Sequence, residues 1–148
     1  MKKKLIIAVP LLLLVLAVGA KMTVLAPAAP DEAALAKEPG AVYTMADPFV
    51  VNLADRDGTP HYAKVGVAMR FSKLSEAEIT PAKGEKAAEV EGDAELRDIV
   101  ISTLQSKTSG QLGSVAGRTA VKRQIVARVN KQTELKILDV YYTEFAVQ

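Results

Sequence analysis

The feature that most constrains this chain is its first twenty-six residues. Lys2, Lys3 and Lys4 precede an uncharged run of 16 residues, Leu5 to Ala20. After a single Lys21, Met22–Ala26 continues the apolar character up to Pro27. Such a stretch belongs at a membrane, and two readings compete. Val18-Gly19-Ala20 has the small-x-small form of a signal-peptide cleavage site. Alternatively, Lys21 snorkels its ammonium toward the headgroups and the apolar segment runs on to Ala26. Residues 5–26 would then form a helix of roughly 33 Å, enough to cross a hydrocarbon core of about 30 Å. Pro10 falls in the first turns, where a missing N–H is best tolerated. The length argument favours an uncleaved anchor. Both readings give one topology: residues 1–4 cytoplasmic by the positive-inside rule and residues 27–148 on the far side.

Charge follows from this division. The chain has 19 basic and 17 acidic residues. Without Lys2, Lys3 and Lys4 the balance is 16 to 17, so the rest is near neutral. The sequence pI of 8.8 therefore reflects the leader and does not argue for nucleic-acid binding. With no cysteine, an exported domain must be held by its own core, without disulfides, thiol nucleophiles or thiolate metal sites. What remains after the leader is enough for one small domain.

Residues 27–42 hold Pro27, Pro30 and Pro39 among many alanines and read as a spacer, with room for a helical turn over Asp31–Lys37. Residues 43–54 contain the first strand, with Phe49, Val51 and Leu53 on one face and Pro48 at its start. Asp55-Arg56-Asp57-Gly58-Thr59-Pro60 is a turn. Residues 61–71 alternate. His61, Ala63, Val65, Val67, Met69 and Phe71 share one face, and Tyr62, Lys64, Gly66, Ala68 and Arg70 the other. The two strands predict an antiparallel hairpin. Leu74–Ile79 suggests a short helical turn, and Thr80–Gly92 an exposed, mobile loop.

Asp93 is expected to cap a helix in which Leu96, Ile99, Val100, Thr103 and Leu104 recur at three- and four-residue steps. Gly110 is expected near its end as a C-cap. Ser114 is a second N-cap candidate, opening a helix to about Lys131 that buries Val121, Ile125 and Val129. Gly117 weakens its first turns. Residues 135–147 read as a β-strand rich in β-branched and aromatic residues. Its apolar residues occur in both parities, which predicts a central strand or one covered on both faces. The order β-β-α-α-β describes an α+β domain over 43–148, with helices on one face of a sheet.

Little points to chemistry. His61 is the sole imidazole, near Asp57, with no local nucleophile motif. A strand-end histidine with an ordinary hydrogen bond explains it. One histidine and no cysteine leave only carboxylates for a metal. Asp55, Asp57 and Gly58 begin like a calcium loop, but Pro60 and His61 follow where oxygen ligands are needed. Gly110-x-x-Gly113 lacks the following Lys-Ser/Thr of a phosphate loop. Arg118, Lys122, Arg123, Arg128 and Lys131 form either a solvated helix surface or a face for an acidic partner. Tyr141 and Tyr142 are core residues with bonded hydroxyls or interface anchors. No catalytic, cofactor-binding or metal-ligating residue is assigned, and an enzyme is not expected.

Several segments together resemble the FliL family of flagellar basal-body-associated proteins. They are the Lys-rich end with one anchor; Tyr43-x-x-x-x-Pro48-Phe49-Val50-Val51-Asn52-Leu53, then a charged turn and His61-Tyr62-Ala63-Lys64-Val65; Leu96-Arg97-Asp98-Ile99-Val100-Ile101-Ser102-Thr103-Leu104-Gln105-Ser106-Lys107-Thr108; and Val140-Tyr141-Tyr142-Thr143-Glu144-Phe145-Ala146-Val147-Gln148. The likeness covers about residues 43–148. The chain departs from the family pattern at Ser109-Gly110-Gln111-Leu112, where an acidic or aromatic pair is usual before the leucine, and in a longer Thr80–Gly92 loop.

The resemblance implies a stomatin/prohibitin-like domain and a non-enzymatic role at the flagellar base. The protein would be a single-pass inner-membrane protein, with its N-terminus cytoplasmic and its C-terminal domain periplasmic. It would associate with the A and B subunits of the ion-driven stator, support torque in swimming and swarming, and assemble with itself as a ring. No cofactor and no nucleic acid are implied. A membrane-anchored periplasmic sensor, binding a small molecule, is the alternative from a different class. It needs a pocket with convergent polar groups.

Overall fold

The computed structural model describes residues 31–81 and 88–148. The anchor or signal peptide expected over residues 5–26 lies outside the described residues, as does the middle of the Thr80–Gly92 loop. Among the described residues no helix is long and apolar enough to cross a membrane.

The sheet is organised around one strand. We label the strands β1 (Pro39–Thr44), β2 (Phe49–Asn52), β3 (Tyr62–Ser72) and β6 (Ile137–Val147). β3 pairs antiparallel with all three others. β2 lies along its first half, from Phe49↔Val65 to Asn52↔Tyr62, and β1 along its second half, from Thr44↔Ala68 to Pro39↔Ser72. β6 runs the full length of its other side. The hairpin of β2 and β3 is present as expected. The strand expected over 43–54 is two strands, however, and Pro39–Val42, expected in the spacer, is the start of β1. The spacer's helical turn is also present, as α1 (Glu32–Leu35), capped by the Asp31 carboxylate.

The alternation in β3 is realised residue by residue. Ala63, Val65, Val67, Met69 and Phe71 are all fully buried in the core. On the opposite face Tyr62 and Lys64 are exposed, while Gly66 and Ala68 are buried.

β6 is the main departure from expectation. It pairs with β3 alone among the described strands, so it is not a central strand. Its mixed parity has a different cause. The register with β3 shifts twice, leaving Leu138 and Thr143 without partners. Each extra residue exchanges inward for outward parity. Ile137, Val140, Tyr142, Phe145 and Val147 therefore all face the core side of β3, opposite Phe71, Met69, Val67, Val65 and Ala63 in turn. The bulge at Thr143 presses on β3, where a Cβ on Gly66 would collide with the Thr143 hydroxyl. Two bulges also twist an edge of 11 residues away from the flat form that invites uncontrolled pairing.

The helices close the core on that face. We name them α2 (Asp93–Gln105), α3 (Ser109–Gly113) and α4 (Val115–Gln132). Leu96, Ile99, Val100, Thr103 and Leu104 of α2 are buried, as are Val121, Ile125 and Val129 of α4, matching the expected faces. The predicted caps fare less evenly. Ser114 caps α4 by accepting from Gly117 N. α2, though, is capped by Gly92 in the left-handed region, and Asp93 instead accepts from the Tyr43 hydroxyl at 2.8 Å. Gly110 does not end α2. It lies inside α3, whose start carries a capping box between Thr108 and Gln111.

The helical turn after β3 is a 3-10 helix, Lys73–Glu78. The expected Thr80–Gly92 loop is tied at its base by a short ladder of β4 (Ile79–Thr80) and β5 (Glu89–Val90). Arg128 joins the two long helices. Its guanidinium donates to Thr103 Oγ1 at 2.7 Å, Ser102 Oγ at 2.9 Å and the Ile99 carbonyl at 3.3 Å. Asn130 joins α4 to β6, accepting from Ile137 N at 2.8 Å and donating to Ile137 O at 2.9 Å.

Candidate functional site

The polar residues singled out from the sequence are placed mainly in structural roles. The turn between β2 and β3 brings His61 and Asp57 together, Nε2 to Oδ2, at 2.9 Å. Asp57 also accepts from Thr59 N at 3.0 Å. These bonds hold Asp57 below the ordinary carboxylate range, the Thr59 N–H foremost and His61 next. The Asp57 hydrogen bond raises His61 above the ordinary imidazole range.

Asp55 faces elsewhere. It accepts from Ser109 N at 2.7 Å and from Ser109 Oγ at 2.8 Å, fastening the turn to the start of α3. Partial burial opposes its charge, but the two Ser109 donors outweigh this and hold the carboxyl low. The Ser109 hydroxyl is therefore engaged by Asp55 and not by His61. The two aspartates diverge, unlike the ligands of a calcium loop. Among the described residues no cluster of three or more His, Asp or Glu side chains is placed to hold a metal.

The basic run on α4 divides by position. Arg128 is spent between the helices. Arg118 donates to the Leu112 and Gly113 carbonyls at 3.0 Å each and lies 5.5 Å from the Phe145 ring centre. Lys122 stands 5.0 Å from the Tyr142 ring and 5.7 Å from that of Tyr141. Arg123 and Lys131 are exposed. The tyrosines have bonded hydroxyls. Tyr142 donates to the Arg118 carbonyl at 3.2 Å, and Tyr141 accepts from Arg70 Nε at 3.1 Å. Burial pushes the Tyr142 phenol up to about 12. Tyr43 is also pushed up to about 12, by burial first and then by its bond to Asp93.

Among the surface concavities, one of about 420 Å³ is lined by Val50, Tyr62, Lys64 and Ala146 among others, and two more have charged linings. One of about 310 Å³ runs between α4 and β6, lined by Lys122, Arg123, Val126 and Leu138 among others. The other, of about 510 Å³, lies where the 3-10 helix, the start of α2 and the end of α4 meet, and four glutamates line it: Glu78, Glu91, Glu95 and Glu134. Sequence reasoning missed this second feature. Its residues come from separate segments with no shared motif, and only the fold gathers them.

Structural polar networks and charged concavities characterise the domain, and comparison with known proteins shows its family. Residues 42–148 match the model of the family described as flagellar basal body-associated protein FliL. The chain is also 30% identical, over 112 residues, to the flagellar protein FliL of Aquifex aeolicus (strain VF5). That alignment covers 75% of this chain and 63% of the relative, so the chain spans somewhat less than two thirds of the relative's length.

Proposed function

The chain belongs to the FliL family, and from that membership we propose that it is a non-enzymatic flagellar protein that supports the motor's stator units. A single helix over residues 5–26 anchors it in the inner membrane, with residues 1–4 cytoplasmic and the domain periplasmic. There it assembles with itself into a stomatin/prohibitin-like ring beside the A and B stator subunits and aids torque in swimming and swarming. The family match over residues 42–148 carries this reading. The charge pattern of the leader and the charged concavities of the domain support it.

Localisation tests it. A fluorophore that folds in the periplasm, inserted just before Asp31, is imaged in cells with labelled flagella. Foci at flagellar bases that vanish when the stator is deleted are expected. Foci that survive the deletion would leave a basal-body protein but remove the stator role. Uniform membrane fluorescence would overturn the motor assignment and favour the sensor alternative.

A further inference from the structure

We propose that the acidic cleft of one copy receives the basic α4–β6 groove of a second copy, in a head-to-tail contact. This inference rests on the self-assembly reading above and names the two surfaces that would carry it.

The first surface is the cleft lined by Glu78, Glu91, Glu95 and Glu134. All four are exposed, and none has an ion-pair partner among the described residues. Leu74, partly exposed, and Leu135 supply an apolar floor between the carboxylates. A cleft of this composition suits cationic side chains carried on an apolar support.

The second surface matches that description. Lys122 and Arg123 flank the groove between α4 and β6, with Arg118 one turn earlier and Val126 and Leu138 as its apolar part. Leu138 is there because it is bulged out of register with β3. Asp139, also in the wall, turns its carboxylate back to Val140 N at 2.7 Å.

The two surfaces are complementary in charge, and both belong to one chain. Residues 31–148 hold 15 basic residues, the 19 less Lys2, Lys3, Lys4 and Lys21, against 17 acidic. The domain is nearly balanced in charge and carries these two patches of opposite sign, which favours copies of itself over a partner of one sign. The patches occupy different parts of the domain, so a contact between them is heterologous. Each copy keeps one free surface of each kind, and repetition gives a closed ring or an open chain.

The absence of native cysteine allows a direct test in the full-length chain reconstituted in lipid vesicles. Leu74→Cys marks the cleft and Ala127→Cys marks the groove, leaving every charge in place. Under oxidation the double variant is expected to give a ladder of dimers, trimers and larger species, and each single variant only monomers. Adding Glu91→Lys with Glu134→Lys should abolish the ladder, as should Lys122→Glu with Arg123→Glu. An equimolar mixture of the two charge-reversed chains should restore cross-linking, which also shows that both fold. A wild-type chain that assembles in vesicles while these variants assemble equally well would overturn the inference and leave self-assembly standing. So would cross-linking by either single-cysteine variant, the mark of a two-fold contact. A wild-type chain that stays monomeric by photobleaching counts would overturn the self-assembly reading and this inference with it.

Discussion

Gly117, in the first turn of α4, packs directly against the main-chain carbonyl of Gln111 in α3, leaving no room for a Cβ. A Cβ at this position would also lie 2.8 Å from Ser114 Oγ, the atom that caps α4. Glycine within a helix ordinarily weakens it by roughly 0.5–1 kcal/mol relative to alanine. Here the tertiary contact reverses that preference. Gly117→Ala should destabilise the domain by about 1–3 kcal/mol, the usual range for overpacking. Urea unfolding measures it; a stabilised variant would show that α3 yields easily.

Asp55 should act as the fastener between the β2–β3 turn and α3. Asp55→Ala removes the acceptor of both Ser109 donors. Amide exchange at Ser109 should quicken markedly, while the interior of α4 stays protected. Unchanged exchange at Ser109 would mean that the Thr108 capping box holds α3 by itself.

The His61–Asp57 pair makes a signed pH prediction. The folded protein binds the His61 proton more tightly than the unfolded chain, whose value is near 6.5. The resulting stabilisation is complete below that value and is lost as pH rises through the raised folded value. Asp57 behaves oppositely: its folded value lies below 3.8, so its contribution is present above 3.8 and is lost as pH falls through the depressed value. An NMR titration of His61 should show a midpoint above 6.5, and Asp57→Asn should lower it. A midpoint unmoved by Asp57→Asn would mean that the pair does not persist in solution.

Asn130 should set where β6 begins. Its side chain engages both the N–H and the carbonyl of Ile137. Asn130→Ala should cost about 1–3 kcal/mol, as expected for partly buried polar groups left without partners. Exchange at the Ile137 amide should rise before that at Val140.

Much of this fold can be read from local pattern. The buried line of β3, Ala63 to Phe71, follows directly from its period of two, and Val121, Ile125 and Val129 from helical spacing. Local periodicity reports which side of an element is apolar, and solvent then dictates which side turns inward. Pattern misled where a neighbour intervened. Asp93 has the chemistry of an N-cap, but Tyr43, 50 residues away in sequence, claims its carboxylate. Gly110 has the chemistry of a helix stop, but the Thr108–Gln111 box starts a new helix around it. The apolar residues of β6 suggested two covered faces because the bulges at Leu138 and Thr143 exist only in its register with β3.

The amino-acid sequence by itself determined the segregation of an apolar leader from a mixed-charge domain, the α+β character of that domain, and the core faces of β3, α2 and α4. These are properties of consecutive residues, written in hydrophobic period and charge. Tertiary structure alone decided that β3 is the strand on which the sheet is built, that β6 is a bulged edge, and that Glu78, Glu91, Glu95 and Glu134 share one cleft. Those facts depend on which distant segments meet, and the free energy of their meeting belongs to pairs of segments and to neither one alone.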